Sequence, residues 1–292
     1  MTSVCAVGLA VFDLVMSVDE LPGSATKHFA RSALVTGGGP AANAAIAVAR
    51  LGGSASFVGC VGDDALGGLI LEGLGAEGVA LDDVLVVEGV GSPVSSVLVR
   101  PDGGRMIVNH TDPALHSRPP GHLPTADAFV ADVRWPLGAE LAMATAVQRG
   151  VPGVLDLDRT DVPIPEEAVR RASHVIASID ALDESDPEAA LAGLARRTDA
   201  WVAVTTGPDG PVWMESGSRR RLAPPPVDVV DTLGAGDVFH GAFALALAEG
   251  RDEPAAIRFA TAAAAAKCAR PGGREGIPTR AEVDRLEAGP WG

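Results

Sequence analysis

Cysteine is scarce in this 292-residue chain, and the three present, Cys5, Cys60 and Cys268, are scattered. An odd number without metal-ligand spacing argues against a disulfide framework or a thiolate metal site and fits buried thiols in a reducing compartment. Basic residues are also few: 23 Lys and Arg stand against 38 Asp and Glu, a formal net charge of -15. Such a surface repels nucleic acid and anionic lipid. An anionic ligand must therefore be met by individual lysines and arginines, which makes each of them informative. Long apolar runs are missing. The alanine-rich stretch near residue 262 is flanked by Arg258 and Lys267 and is too short to span a bilayer. No charged-then-apolar leader precedes Asp13, so a soluble cytoplasmic protein is expected. No fixed-period repeat is visible. What is plentiful is apolar surface: 47% of residues are hydrophobic, enough for one large α/β domain spanning 1–292.

The stretch Asp231-Thr232-Leu233-Gly234-Ala235-Gly236-Asp237-Val238-Phe239-His240 organises the chain. It follows an apolar run (Val227, Val229, Val230), expected to be a strand, and precedes an alanine-rich helical segment. Glycines between a strand and a helix expose backbone amides at the positive end of a helix dipole, an anion-binding arrangement. A glycine turn with an acidic cap fits the same residues. Asp237 inside an anion-binding turn also fits a base that takes a proton from an attacking hydroxyl.

Earlier in the chain, residues 4–11 read as a buried strand ending at Phe12-Asp13, with Asp13 placed to bind a ligand at the sheet edge or simply to make a turn. Gly37-Gly38-Gly39-Pro40 opens a helix containing Asn43 and running to Arg50. It lacks the G-x-G-x-x-G spacing, which argues against a dinucleotide fingerprint. Residues 15–36 and 92–110 contain short β pieces, the second interrupted by the turn Pro101-Asp102-Gly103-Gly104. A small sheet built from these has an apolar face in need of cover, by substrate or a second subunit. From residue 126 onward strands and helices alternate, which implies a parallel sheet with helices on both faces. Thr205-Thr206-Gly207-Pro208-Asp209-Gly210 is by itself a turn.

Taken together, the triple glycine, the Thr-x-Gly-x-x-Gly turn and the Gly-Ala-Gly-Asp stretch resemble the signatures of the ribokinase-like (PfkB) sugar kinases. The resemblance implies a three-layer α/β sandwich with a mostly parallel sheet and a small β-sheet lid. It implies Asp237 as catalytic base and the backbone of Gly234, Ala235 and Gly236 as anion hole. Asp13, Gly38, Gly39 and Asn43 would hold the sugar, and Thr205, Gly207, Gly210, Lys267 and Gly272 would border ATP. Backbone carbonyls of the 269–278 loop, with Asp231 and Leu233, would hold a monovalent cation such as K+. Magnesium would accompany ATP. Many relatives carry an Asn-x-x-Glu motif for it; here the stretch is Ser178-Ile179-Asp180-Ala181, so its ligands stay unassigned, with Asp180 or Asp183 as substitutes. A homodimer through the lid is expected.

Three residues speak to the sugar: Lys27 and Asn109 in the lid segments, and Arg134 in Ala131-Asp132-Val133-Arg134-Trp135. An arginine at a strand's carboxyl end offers a planar fork for a tetrahedral oxyanion; a salt bridge to Asp132 or Asp158 accounts for it equally. Ala131 to Trp135, the triple glycine with Pro40, Val238-Phe239-His240 and the run from Lys267 to Pro278 resemble the bacterial 6-deoxy-6-sulfofructose kinases, a resemblance that extends along nearly the full length. That resemblance implies Lys27, Asn109 and Arg134 around a sulfonate and phosphorylation at C1. Alternatives are a kinase for a neutral ketose, sugar acid or nucleoside, and a sugar-sensing binding protein.

Overall fold

The structure, a computed structural model, describes residues 1–101 and 104–291. Asp102 and Gly103, read above as part of a turn, lie outside the described residues. In chain order the strands are β1 (Ser3–Gly8), β2 (Val11–Ser17), β3 (Ser32–Gly38), β4 (Ser54–Gly62), β5 (Leu85–Val87), β6 (Val94–Val99), β7 (Arg105–His110), β8 (Ala128–Asp132), β9 (Gly153–Leu157), β10 (His174–Ser178), β11 (Trp201–Thr205), β12 (Pro211–Glu215) and β13 (Ser218–Arg221). The helices are α1 (Pro40–Arg50), α2 (Ala65–Ala76), α3 (Pro136–Arg149), α4 (Glu166–Arg171), α5 (Pro187–Ala195), α6 (Ala235–Ala248), α7 (Glu253–Cys268) and α8 (Arg280–Glu287).

Nine strands form one sheet in the order β13-β12-β11-β10-β9-β8-β1-β4-β5. Its pairings are parallel except for the two at one edge, β11–β12 and β12–β13, which are antiparallel. The apolar, unalternating strands of the centre suit burial on both faces. β1 shows how: Val4 and Ala6 enter one core with α1, α6 and α7, while Cys5 and Val7 enter the other with α3, α4 and α5. The alanine-rich helices permit close packing. A Cβ on Gly241 of α6 would come 2.5 Å from the Ala44 carbonyl oxygen of α1.

The second sheet has four strands in the order β3-β2-β6-β7. Two expectations change here. The first strand ends at Gly8, and after two residues the chain enters β2, so Asp13 lies inside a strand of the small sheet rather than just past a central one. The run at 227–230 forms no strand. It has no β neighbour to pair with; instead the amides of Val230 and Asp231 both donate to the Cys268 carbonyl at the end of α7, at 2.8 and 3.1 Å.

Candidate active site

Parallel strands deliver their carboxyl ends to one edge, and here that edge meets the amino end of α6. Gly234 caps α6 in the left-handed region (φ 79°), with no side chain capping the helix. The amides of Gly236 and Asp237 therefore belong to the unpaired first turn, at the positive end of the dipole. The Ala235 amide differs: it donates to the Thr232 carbonyl at 3.2 Å. Its place in an anion hole thus requires that bond to be shared or released.

Asp237 stands in that first turn. Its Oδ2 accepts a 2.6 Å hydrogen bond from Asn43 Nδ2 on α1. Asn43 Oδ1 in turn accepts from Arg274 Nε at 3.0 Å, and Arg274 Nη2 donates to the Gly38 carbonyl at 2.8 Å. Asn43 and Arg274 are both buried. Burial raises the Asp237 pKa above the ordinary carboxylate value, while the Asn43 bond and the charges of Arg134 and His240 pull it down. A base with a raised pKa is better matched to proton abstraction near neutrality.

The same Arg274 explains the triple glycine. A Cβ on Gly37 would sit 1.8 Å from Arg274 Nη1, one on Gly38 2.1 Å from Asp13 Oδ2, and Gly39 has φ 97° with its Cβ position 2.3 Å from the Leu9 carbonyl oxygen. The loop is bare so that two functional side chains can lie against it. Asp13 is buried, and its Oδ1 has no hydrogen-bond partner. Burial pushes its pKa up to about 6, against the opposing influence of Ser95 and Arg274. Strand register places Thr36, Asp13, Ser95 and Asn109 in one row across β3, β2, β6 and β7. Cross-strand partners share a face, so the exposed Asn109 lies on the same side as the buried Asp13. Lys27 is also exposed, in the irregular segment between β2 and β3.

Arg134 follows β8. Its Nη2 donates to Asp158 Oδ2 at 2.9 Å and to the Arg159 carbonyl at 3.0 Å, while Nη1 is buried without a partner. Burial works against its charge, but Asp132, Asp158 and Asp156 prevail and raise its pKa. The salt-bridge reading is therefore right for one arm of the fork and leaves the other arm unspent. Beside it, Asp156 at the end of β9 is pushed up to about 7 by burial, with His240 opposing. His240 Nδ1 lies 2.7 Å from the Gly236 carbonyl, so it carries the proton, and Nε2 faces Asp156 Oδ1 at 3.5 Å.

The expected nucleotide loop joins β11 to β12. Thr205 ends β11, and its hydroxyl points back to the Ala177 carbonyl at 3.4 Å. Gly207 and Gly210 have φ 63° and 79°, and a Cβ on Gly210 would meet the Leu222 carbonyl at 2.0 Å. Both glycines are thus required by the turn itself. Gly272, at φ 85°, bends the loop that carries Arg274. Lys267 departs from expectation. It is fully buried, and its Nζ donates to the Asp231 carbonyl at 2.9 Å. That ammonium donates to the Asp231 carbonyl, in the group of oxygens expected, with Leu233 and the 269–278 loop, to hold a monovalent cation. Asp180 and Asp183 are exposed, and among the described residues no group of three or more His, Cys, Asp or Glu could hold a metal. Magnesium is commonly held by one or two carboxylates plus substrate phosphates, so its ligands stay unassigned. Among the described residues no helix is long and apolar enough to cross a membrane.

Comparison with known proteins decides the family. The pfkB family carbohydrate kinases match residues 1–280. The chain belongs to the PfkB family. This PfkB kinase is 31% identical to the ribokinase of Bacillus subtilis, over 98% of this chain and 99% of the relative. It is 30% identical to the ribokinase of Schizosaccharomyces pombe, over 97% of each. Superposition on a crystal structure of an Agrobacterium tumefaciens protein, provisionally assigned as a ribokinase, gives a TM-score of 0.91 at 36% identity, covering 98% and 97% of the two chains. Arabidopsis thaliana ribokinase complexed with ribose and ATP gives 0.84 at 27%, covering 99% of each. The fold is ribokinase-like, and the chain is an ATP-dependent carbohydrate kinase. Arg274, Thr36 and Ser95 escaped the sequence reading. For Arg274 a signal existed, a lone arginine among glycines at 272–276.

Proposed function

We propose that this kinase transfers the γ-phosphoryl group of ATP to the C1 hydroxyl of a sugar with an anionic far end, 6-deoxy-6-sulfofructose being the first candidate. The observation that carries this reading is Arg134, whose Nη1 is buried beside the site with no partner. A sulfonate supplies acceptors for such a donor at a single negative charge. Asn109, in register with Asp13 through Ser95, and the exposed Lys27 support the same pole. In this reading Asp13 accepts from sugar hydroxyls, and Asp237, oriented by Asn43, takes the proton of the attacking hydroxyl. The first-turn amides of α6 face the phosphoryl oxygens, where Mg2+ when bound neutralises phosphate charge.

A second reading also has specific support. The relatives described above are ribokinases, and the Arg134 Nη2 already serves Asp158 and the Arg159 carbonyl. Ribose or a neutral ketose is then the acceptor. Rates on sulfofructose, fructose 6-phosphate, fructose and ribose separate the two. In the sulfosugar reading, Arg134→Ala lowers kcat/KM for sulfofructose by roughly ten- to a hundred-fold and leaves the slower neutral sugars nearly unchanged. An equal fractional loss on all four assigns Arg134 to structure.

For assembly, the reading is a homodimer through the lid. Val35 on β3 and Met106 and Val108 on β7 are 55%, 38% and 64% exposed and share the face opposite Asp13 and Asn109, an apolar face that a second copy of the sheet covers.

A further inference from the structure

Lys267 is the one fully buried lysine of the core, and no step proposed above uses it. It sits in the last turn of α7, against the segment that leads into the Gly234 turn. Its ammonium donates to the Asp231 carbonyl at 2.9 Å and lies 3.7 Å from Asp231 Oδ2. Asp231 Oδ1 accepts from the Leu233 amide at 2.9 Å, one residue before the helix cap Gly234. The stem is housed deliberately: a Cβ on Gly276 would stand 3.1 and 3.2 Å from the lysine's Cδ and Cε. Two further bonds, from the Val230 and Asp231 amides to the Cys268 carbonyl, clamp the same segment onto α7.

A cation buried behind an anion-binding turn does two things. It satisfies carbonyl and carboxylate oxygens that point inward, and its field adds to that of the helix amino end. We propose that the Lys267 ammonium is a built-in monovalent cation, which holds the Asp231–Gly234 backbone in its phosphate-binding form and makes this kinase independent of added K+. The inference rests on the kinase assignment. Burial lowers the Lys267 pKa, while Asp231 opposes that shift and favours the charged form.

The test compares KCl with choline chloride at constant ionic strength and constant Mg2+, reading ADP affinity by calorimetry and thermal melting without nucleotide. For the wild type, ADP affinity and melting temperature are expected to be the same in both salts. Tightening of ADP by about ten-fold in KCl, or a melting temperature raised by KCl alone, overturns the proposal. In Lys267→Ala, ADP binding in choline is expected to weaken by roughly ten-fold or more, and KCl or methylammonium to restore part of it. A folded variant that binds ADP as tightly as wild type in choline, or that neither cation rescues, overturns it as well. Where the variant fails to fold, the wild-type salt comparison decides. Absence of ADP binding in every salt rejects the kinase assignment, and the nucleotide-free melting comparison still reports on the lysine.

Discussion

The junction at α6 and the lid present opposite designs. At the junction buried side chains are chained to one another while the first-turn amides of Gly236 and Asp237 stay unpaired: Asp237 is held by Asn43, Asn43 by Arg274, Arg274 by the Gly38 carbonyl, and the Asp231 carbonyl by Lys267. In the lid, β7 is exposed along its whole length, on both faces of the strand. The fixed groups of the junction suit the charge that develops during transfer in the proposed reading, because a group that need not reorient stabilises most. The small sheet instead holds open surface, with Asn109 exposed on one face and Val108 on the other. The two regions meet at Asp13, a lid residue buried against Arg274 and Gly38. In the proposed reading, a small sheet with one row of residues toward the site places sugar recognition on an element separable from the chemistry.

That contrast breaks first at Asp237. Asp237→Asn keeps the Asn43 neighbourhood but removes the base, and turnover is expected to fall ~10²–10⁴-fold with nucleotide binding retained. Near-normal turnover in the purified variant removes Asp237 from the chemistry. Next is Arg274→Met, which leaves Asn43 Oδ1 and the Gly38 carbonyl without their donor. A lost charged hydrogen bond costs about 1.5–3 kcal/mol, so kcat/KM should drop roughly ten- to a hundred-fold, with a lower melting temperature. Loss of stability alone, with kinetics intact, makes Arg274 a scaffold residue only.

A gentler probe is pH. Asp156 has a folded pKa of about 7 against 3.8 for an unperturbed carboxyl, and Asp13 about 6. A carboxyl raised in the folded state binds its proton more tightly there than when unfolded. Its stabilising contribution is full below pH 3.8 and is lost as pH rises through 6 to 7. Asp156→Asn should therefore gain stability relative to wild type as pH rises across this window. Melting curves that stay parallel between the two proteins contradict the raised pKa. The smallest effect on folding is expected in the lid: Val108→Glu should change stability by only about 0.5 kcal/mol, while converting dimer to monomer in light scattering. A wild type already monomeric at working concentration removes the dimer.

Much of this was legible in the chain. The β/α alternation after residue 126, the helix after the triple glycine and the Gly-Ala-Gly-Asp junction follow from short-range pattern, because strand burial and glycine turns are local matters. The 227–230 run shows the limit: β propensity does not make a strand without a neighbour to pair with. Arg274 and Lys267 show it more sharply. Both lie near the end of the chain, and their partners are 231 and 36 residues away. From the sequence Lys267 is expected beside ATP, and Arg274 has no role beyond its place in the 269–278 loop.

The sequence by itself determined the family, the sheet with its two helical layers, and the Gly-Ala-Gly-Asp junction that opens α6, since each depends on residues close together in the chain. Only the tertiary structure decided which side chains press on the triple glycine, which arm of Arg134 is free, and that a lysine ammonium occupies the Asp231 carbonyl. Those facts depend on where long side chains end once distant segments are packed, and propensity carries no information about that.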